Sequence, residues 1–208
     1  MASWIEGLKR LPVDLGQGTL RTTTKGKLIA LDHVPPGKGR TALDIGCREG
    51  HQARWLESRG YRVTAIDIEQ VYPKAEVVDV DQGLPYPENT YDLVWCSEVI
   101  EHLRDPAAFV AEAKRVLRPG GRLVLTTPNS AFWLYPLLRL FGKTPASVQN
   151  PTHRQFFSIC DMHRLFPGVV VEGFFPYLWL RCRITRGVGL LSPTFVVCLD
   201  KARARPAP

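Results

Sequence analysis

The sequence predicts an α/β fold built on a mostly parallel sheet, and three observations carry that reading. Over residues 41–127, apolar runs short enough for strands alternate with stretches of helical period. The runs at 41–46, 61–67, 91–96 and 122–127 are nearly continuous in apolar residues, the pattern of strands covered on both faces. Turn and cap residues fall between them: Gly60, Asp105-Pro106 and Pro119-Gly120-Gly121.

The elements follow in order. Residues 1–39 are polar and basic with scattered apolar positions, and close on Pro35-Pro36-Gly37; they read as an N-terminal cap with a helix near 24–32. Strand one takes 41–46. A helix over 50–59 ends at Gly60, a residue free to adopt the left-handed conformation of a helix stop. Strand two takes 61–67 and strand three 75–80, followed by the extended loop Leu84-Pro85-Tyr86-Pro87. Strand four takes 91–96. Asp105 then offers a capping carboxylate and Pro106 a preset first helical residue. Phe109, Ala113, Val116 and Leu117 form that helix's apolar stripe. Strand five takes 122–127, a last helix lies near 159–166, and strands near 169–175 and 194–200 close the sheet. Residues 203–208 read as a frayed tail. Seven strands with intervening helices define a doubly wound, Rossmann-like architecture. The rhythm breaks over 128–168, which reads as a lid or acceptor region inserted between strand five and the last helix.

Bulk properties narrow the function. The chain of 208 residues suits one domain, 1–208, with a full core. Its 45% hydrophobic and 23% charged residues are ordinary for a soluble globular protein. A net charge of +7 favours acidic partners. Cys47, Cys96, Cys160, Cys182 and Cys198 form no C-x-x-C pair, and three lie in strand-like runs. They read as reduced thiols of a cytoplasmic protein. The first ten residues show no apolar leader core, and no run of 18 uncharged apolar residues exists to span a bilayer.

The candidate site begins at Asp44-x-Gly46-x-Arg48-x-Gly50, between strand one and the next helix. Such a turn brings backbone amides and a helix N-terminus toward a ligand. Asp67 ends strand two about 20 residues downstream, where a ribose diol would lie. This pairing points to a nucleoside-binding domain.

The spacing resembles the D-x-G-x-G-x-G first motif of class I S-adenosylmethionine (SAM)-dependent methyltransferases, with Arg48 in place of the middle glycine. Three further blocks stand in that family's order: Ile66-Asp67; Asp79 through Leu84-Pro85-Tyr86 to Tyr91-Asp92; and Ser97-Glu98-Val99-Ile100-Glu101-His102-Leu103, with Leu117-Arg118-Pro119-Gly120-Gly121 and Thr127-Pro128-Asn129 beyond. The Glu-His-Leu turn and the Thr-Pro-Asn tail are similar to the branch that holds ubiquinone-type O-methyltransferases and bacterial tailoring enzymes.

The resemblance implies a role for each matching residue. Asp44, Gly46, Cys47, Arg48 and Gly50 would wrap the methionine part of SAM, with Asp44 near its amino group. Asp67, with Ile68 beside it, would accept both ribose hydroxyls; a carboxylate there can also simply cap the next turn. Asp79, or alternatively Asp81, would receive the adenine amino group, with Val80 alongside. Ser97 and Glu98 would stand at the carboxyl edge of strand four. Arg48 has two outcomes: its side chain points outward, or it crowds the loop.

Methyl transfer from a sulfonium needs an aligned acceptor, and a hydroxyl or amine acceptor also calls for a base. His102 and His153 are the candidates, against a structural role for each. Glu101 could orient His102 or a metal, but no metal-ligand spacing is evident and none is expected. The arginines at 139, 154, 181, 183 and 186 read as a solvated face, with no nucleic-acid module. Residues 131–141 are rich in apolar side chains and too short to cross a bilayer. They read as a core helix, or as a lid over an apolar acceptor that dips into a membrane interface. The expectation is methyl transfer from SAM to oxygen on a small or lipid-like acceptor, in the cytoplasm or at the inner membrane surface. RNA or protein methylation, or a SAM fold without catalysis, are the alternatives.

Overall fold

The computed structural model describes residues 25–142, 144–149, 151–175 and 182–203. Most of the expected N-terminal cap, Arg181 and most of the expected tail therefore lie outside the described residues. Among those described, eight strands form one sheet: β1 (Thr41–Ile45), β2 (Arg62–Asp67), β3 (Glu76–Val77), β4 (Tyr91–Ser97), β5 (Leu117–Pro128), β6 (Val171–Phe174), β7 (Arg183–Ile184) and β8 (Thr194–Asp200). Their order is β3-β2-β1-β4-β5-β8-β6-β7. The β3, β2, β1, β4 and β5 pairs are parallel, whereas β8 runs antiparallel to both β5 and β6. The sheet is thus mostly parallel, and its one departure from the expected seven strands is β7. That two-residue strand pairs with Gly173 and Phe174 and is held by Arg183, which donates to Glu172. A sequence reading that treats arginines as a solvated face misses it.

The helices cover both faces. α1 (Lys25–Asp32) and α2 (His51–Ser58) lie on one side, where Ile29, Ala30 and Leu56 pack on Leu93, Trp95 and Val124. α3 (Pro106–Val116) and α6 (Ile159–Leu165) lie on the other, where Phe109, Val110 and Met162 meet Leu43, Ile45, Val94 and Leu123. Alternate residues of each strand feed the two layers, as the pleat requires. The short helices α4 (Leu134–Arg139) and α5 (Pro145–Val148) occupy the insertion, and α7 (Val188–Leu191) precedes β8.

Local chemistry sets the boundaries. Gly60 at φ +87° ends α2: its N–H donates to Glu57 O and that of Tyr61 to Leu56 O, closing the left-handed stop. The Asp105 carboxylate accepts from Ala107 N at 3.0 Å and Ala108 N at 2.9 Å, and Pro106 follows. Ser158 and Asp161 cap α6 reciprocally. β3 is shorter than the expected 75–80 because the Asp79 carboxylate accepts from Asp81 N at 3.0 Å and winds Val80–Gln82 into a 3-10 turn. Strand five starts earlier than expected: Gly120, at φ +80°, donates its N–H to Lys201 O while Gly121 O accepts from Lys201 N, which keeps the chain in the sheet as an irregularity.

The segment 131–141 divides. Phe132 and Leu138 are buried, while Leu137 is 44%, Leu140 79% and Phe141 73% exposed. The insertion is anchored by buried Asn129, whose Nδ2 donates to the carbonyls of Val188, Gly189 and Ser192 and whose Oδ1 accepts from Ala131 N.

Removing the Asp105 cap should cost about 1 kcal/mol, whereas Phe109→Ala in the core should cost about 3–5 kcal/mol. Urea unfolding of both variants checks the ranking; an Asp105→Ala protein as stable as the parent means the two cap bonds are not made in solution.

Candidate active site

β1 lies between β2 and β4, so the crossover after β1 and the chain entering β4 diverge, leaving a crevice beyond their carboxyl ends. The polar residues gather there. Asp44, 1% exposed, sits in β1 with Oδ2 lacking a hydrogen-bond partner among the described residues. Burial raises its pKa from 3.8 to about 7; the nearby Lys27 charge and the Ala53 amide pull the other way, and Asp67 adds to the rise.

The loop after β1 is locked by its own bonds. Gly46 N and Cys47 N donate to Ile66 O at 2.9 and 3.1 Å, Arg48 N donates to Asp67 Oδ2 at 2.8 Å, and Gly50 N donates to Cys47 O at 2.7 Å. The expectation that this turn aims its amides at a ligand therefore fails for these four donors, because three of them tie β1 to β2 and the fourth closes the loop on itself. The glycines serve packing: a Cβ on Gly46 would lie 2.3 Å from Val99 Cγ2, and one on Gly50 2.5 Å from the Tyr72 ring. Arg48 is exposed, and its φ of +47° is the left-handed backbone a glycine adopts freely. Cys47 is buried and its thiol is pushed up to about 12 by burial and by Asp44 and Asp67, leaving it unreactive.

Asp67 does cap the next turn, since Oδ1 accepts from Glu69 N at 3.3 Å while Oδ2 holds Arg48 N. Two backbone bonds leave acceptor capacity on a carboxylate with about four lone-pair sites. Ile68 beside it is 66% exposed. Asp79 is exposed on its 3-10 cap, with Val80 packed partly onto the core. Asp81, by contrast, accepts from Arg104 N at 2.9 Å and Arg104 Nε at 3.1 Å. Of the two acids only Asp79 keeps a carboxylate open, and a cavity of about 380 Å³ borders it.

After β4, Glu98 turns the chain at φ +58°. Thr126 Oγ1 donates to Glu98 Oε1 at 2.8 Å, so Ser97 Oγ, 2.8 Å from Thr126 Oγ1, is the donor to that hydroxyl. Burial raises the Glu98 pKa against the Thr126 bond and Lys27. Glu101, 1% exposed, has Oε2 accepting from Thr127 Oγ1 at 3.0 Å and Oε1 unpartnered among the described residues. Burial and the Glu98 charge push its pKa well up.

The histidines meet there. Arg154 N and Gln155 N both donate to Glu101 O at 2.9 Å, pinning the returning loop across the turn that carries Glu101 and His102. His153 Nε2 thereby comes 3.9 Å from Glu101 Oε1, and its ring packs edge-on to His102 with centroids 4.8 Å apart. His153 is lowered from 6.5 to about 4 by burial and by His102. Its nearness to Glu101 has no signal in the sequence, because it depends on two main-chain bonds. A further cavity of about 350 Å³ opens at the opposite, amino edge, but its charges already pair, Arg122 with Asp200 above all.

This architecture recurs in solved structures. A SAM-dependent methyltransferase from Mesorhizobium loti matches with a TM-score of 0.67 at 16% identity, over 90% of this chain and 100% of that one. One from Thermotoga maritima, described as a possible histamine N-methyltransferase, matches at 0.63 and 20%, over 85% and 88%. These are likenesses of fold. Residues 23–168 match the family described as Methyltransferase domain, and the chain belongs to it, within the class I SAM-dependent methyltransferases. Among curated relatives it is 35% identical over 130 residues to the 2-methyl-6-phytyl-1,4-hydroquinone methyltransferase of Synechocystis, covering 52% of this chain and 40% of that protein. It is 37% identical over 108 residues to the 27-O-demethylrifamycin SV methyltransferase of Amycolatopsis mediterranei, covering 44% and 40%. It is 34% identical over 145 residues to the ubiquinone biosynthesis O-methyltransferase of Aeromonas salmonicida, covering 61% and 60%. The chain thus spans less than two thirds of the length of each.

Because native Asp44 holds its proton to about pH 7 and unfolded Asp releases it near 3.8, the native state binds more protons between those values. Its contribution is therefore present at low pH and lost as pH rises through that window. The stability difference between the wild type and Asp44→Asn should shift against the wild type from pH 4 to 7 in urea melts. A pH-independent difference would show that Asp44 ionises normally in the fold.

Proposed function

We propose that this protein transfers the methyl group of SAM to an oxygen of a small or lipid-like acceptor. The observation that carries the reading is Asp44: a buried carboxylate with one oxygen unpartnered among the described residues, at the edge where the family binds its cofactor. The SAM ammonium group supplies the missing donor and the positive charge. The residues present fit the rest. Asp67 has acceptor capacity for the ribose hydroxyls, Ile68 offers an exposed apolar surface beside it, and the open Asp79 carboxylate borders a cavity with room for adenine.

When bound, SAM supplies a methyl on a sulfonium, a leaving group that takes back its electron pair as a neutral thioether. The protein's own part is to align an acceptor lone pair with that carbon, exclude water and take up a proton. His102 and His153 stand together past β4 beside the buried Glu101, the side from which an acceptor approaches. The named activities of the hydroquinone, rifamycin and ubiquinone relatives support a small or lipid-like acceptor. Leu137, Leu140 and Phe141 beside Arg139 form an exposed apolar edge with a cation, which suits contact with an anionic membrane surface on the cytoplasmic side.

Calorimetric titration should show SAM and S-adenosylhomocysteine binding, with Asp67→Ala weaker by about 1.5–3 kcal/mol through lost charged hydrogen bonds; equal affinity in the variant removes Asp67 from the ribose site. Turnover on hydroquinone, catechol and macrolactam acceptors then tests the reaction, and SAM binding without turnover on any acceptor favours a SAM fold without catalysis.

Membrane contact has its own check. The protein should co-sediment with phosphatidylglycerol-containing vesicles, and Leu140→Ser with Phe141→Ser should abolish this while SAM affinity is retained. Indifference of the wild type to such vesicles returns the exposed edge to an acceptor lid.

A further inference from the structure

The geometry points to a divalent transition-metal site formed by Glu101, His102 and His153, whose donor atoms lie within 4.8 Å of one another. The argument starts from two lone pairs that face each other. His153 Nδ1 lies 3.2 Å from Gln149 Oε1. That oxygen is an acceptor, because Gln149 Nε2 donates to Tyr135 Oη at 2.9 Å and Ser130 Oγ donates to Oε1 at 3.3 Å. Nδ1 therefore carries the ring proton, and Nε2 carries a lone pair. Nε2 points at Glu101 Oε1, the oxygen of a 1%-exposed side chain that has no hydrogen-bond partner among the described residues.

Two acceptors in that position call for either a shared proton or a cation between them. A shared proton would draw nitrogen and oxygen to about 2.6–3.0 Å, whereas they stand at 3.9 Å. Bonds of about 2.0–2.2 Å put neighbouring donors of one ion roughly 3.0–3.5 Å apart, so an ion would draw this pair together by about 0.5 Å.

His102 completes the set. Its Nδ1 lies 3.1 Å from Thr152 Oγ1 and 3.2 Å from Thr152 O; donation to the carbonyl, which can only accept, leaves a lone pair on Nε2. Both imidazoles thus have a protein acceptor on one nitrogen and a free lone pair on the other, the arrangement that orients metal-bound histidines. Thr127 Oγ1, donating to Glu101 Oε2 at 3.0 Å, orients the carboxylate in the same way. Two imidazoles and one carboxylate suit zinc, iron, cobalt or manganese in preference to magnesium or calcium, which take oxygen ligands. Three protein donors leave coordination positions for an oxygen acceptor, where the ion would favour the deprotonated hydroxyl. That use rests on the methyl-transfer reading; the site does not.

Cobalt(II) titration of the untagged full chain, followed by visible absorption, tests it. One equivalent should bind, and His102→Gln and His153→Gln should each weaken binding by about tenfold or more, while their circular dichroism melts without metal match the wild type. Cobalt should also raise the wild-type melting temperature and leave both variants unmoved. No binding by the wild type, or binding unchanged in His102→Gln, whose ring is only partly buried, overturns the site. SAM calorimetry on the same samples separates the two readings: cobalt binding without SAM binding sinks the cofactor assignment and keeps the metal.

Discussion

The central constraint is the position of β1, paired in parallel with β2 on one side and β4 on the other. Both neighbours arrive through crossovers, which must be right-handed, so the covering helices are forced to opposite faces. The ends of β1 and β4 are then left without a covering element. Five polar residues of the candidate site are placed by that divergence: Asp44 inside β1, Asp67 at the end of the neighbour on one side, and Glu98, Glu101 and His102 past the end of the neighbour on the other. A sheet of this order without the divergence would have buried these acids under a helix or lost them.

The consequence is a concentration of carboxyls in a poorly solvated place. Asp44, Glu98 and Glu101 all have raised pKa values with burial as the leading cause, and the charge of Lys27 on α1 opposes the rise in each. Folding tolerates this because most of the acceptor atoms are matched: Thr126 bonds Glu98 and Thr127 bonds Glu101, from consecutive residues of β5. Those two threonines are buried, and as residues of a strand interior they read as ordinary β-formers. Their use as carboxyl anchors appears only once β5 is laid beside β4.

What was legible in the sequence is what depends on local chemistry. Asp105-Pro106 starts a helix because a carboxylate cap and a preset φ act within three residues, and Gly60 stops one because a single left-handed residue suffices. The pairing of Asp44 with Asp67 was legible because a strand–turn–helix–strand unit has a fixed reach. The rest required the folded chain. β7 escaped because two residues give no periodicity and its register is held by Arg183 and Glu172. The amides of Gly46, Cys47 and Arg48 were expected to face a ligand, but Ile66 O and Asp67 compete for them, and a nearby protein acceptor wins. The Glu101–His153 approach escaped because adjacent Glu101-His102 has no ligand spacing, and its partner arrives from a loop 50 residues on from His102, held by the amides of Arg154 and Gln155.

Two buried carboxylate oxygens, Asp44 Oδ2 and Glu101 Oε1, remain without a hydrogen-bond donor among the described residues. They share a cause and differ in what they ask for. Asp44 faces the loop that follows β1, beside Asp67, where a ligand with its own N–H groups and a positive charge satisfies it by hydrogen bonding. Glu101 faces an imidazole nitrogen at 3.9 Å, too far for a shared proton and open to a cation held by both. A fold selected for stability alone would have filled either place with an apolar side chain, since burying an unmatched carboxylate is costly and its removal is often neutral. The cost is sustained at the carboxyl edge of the parallel strands, and it is the most direct physical sign that this edge is built to hold ligands.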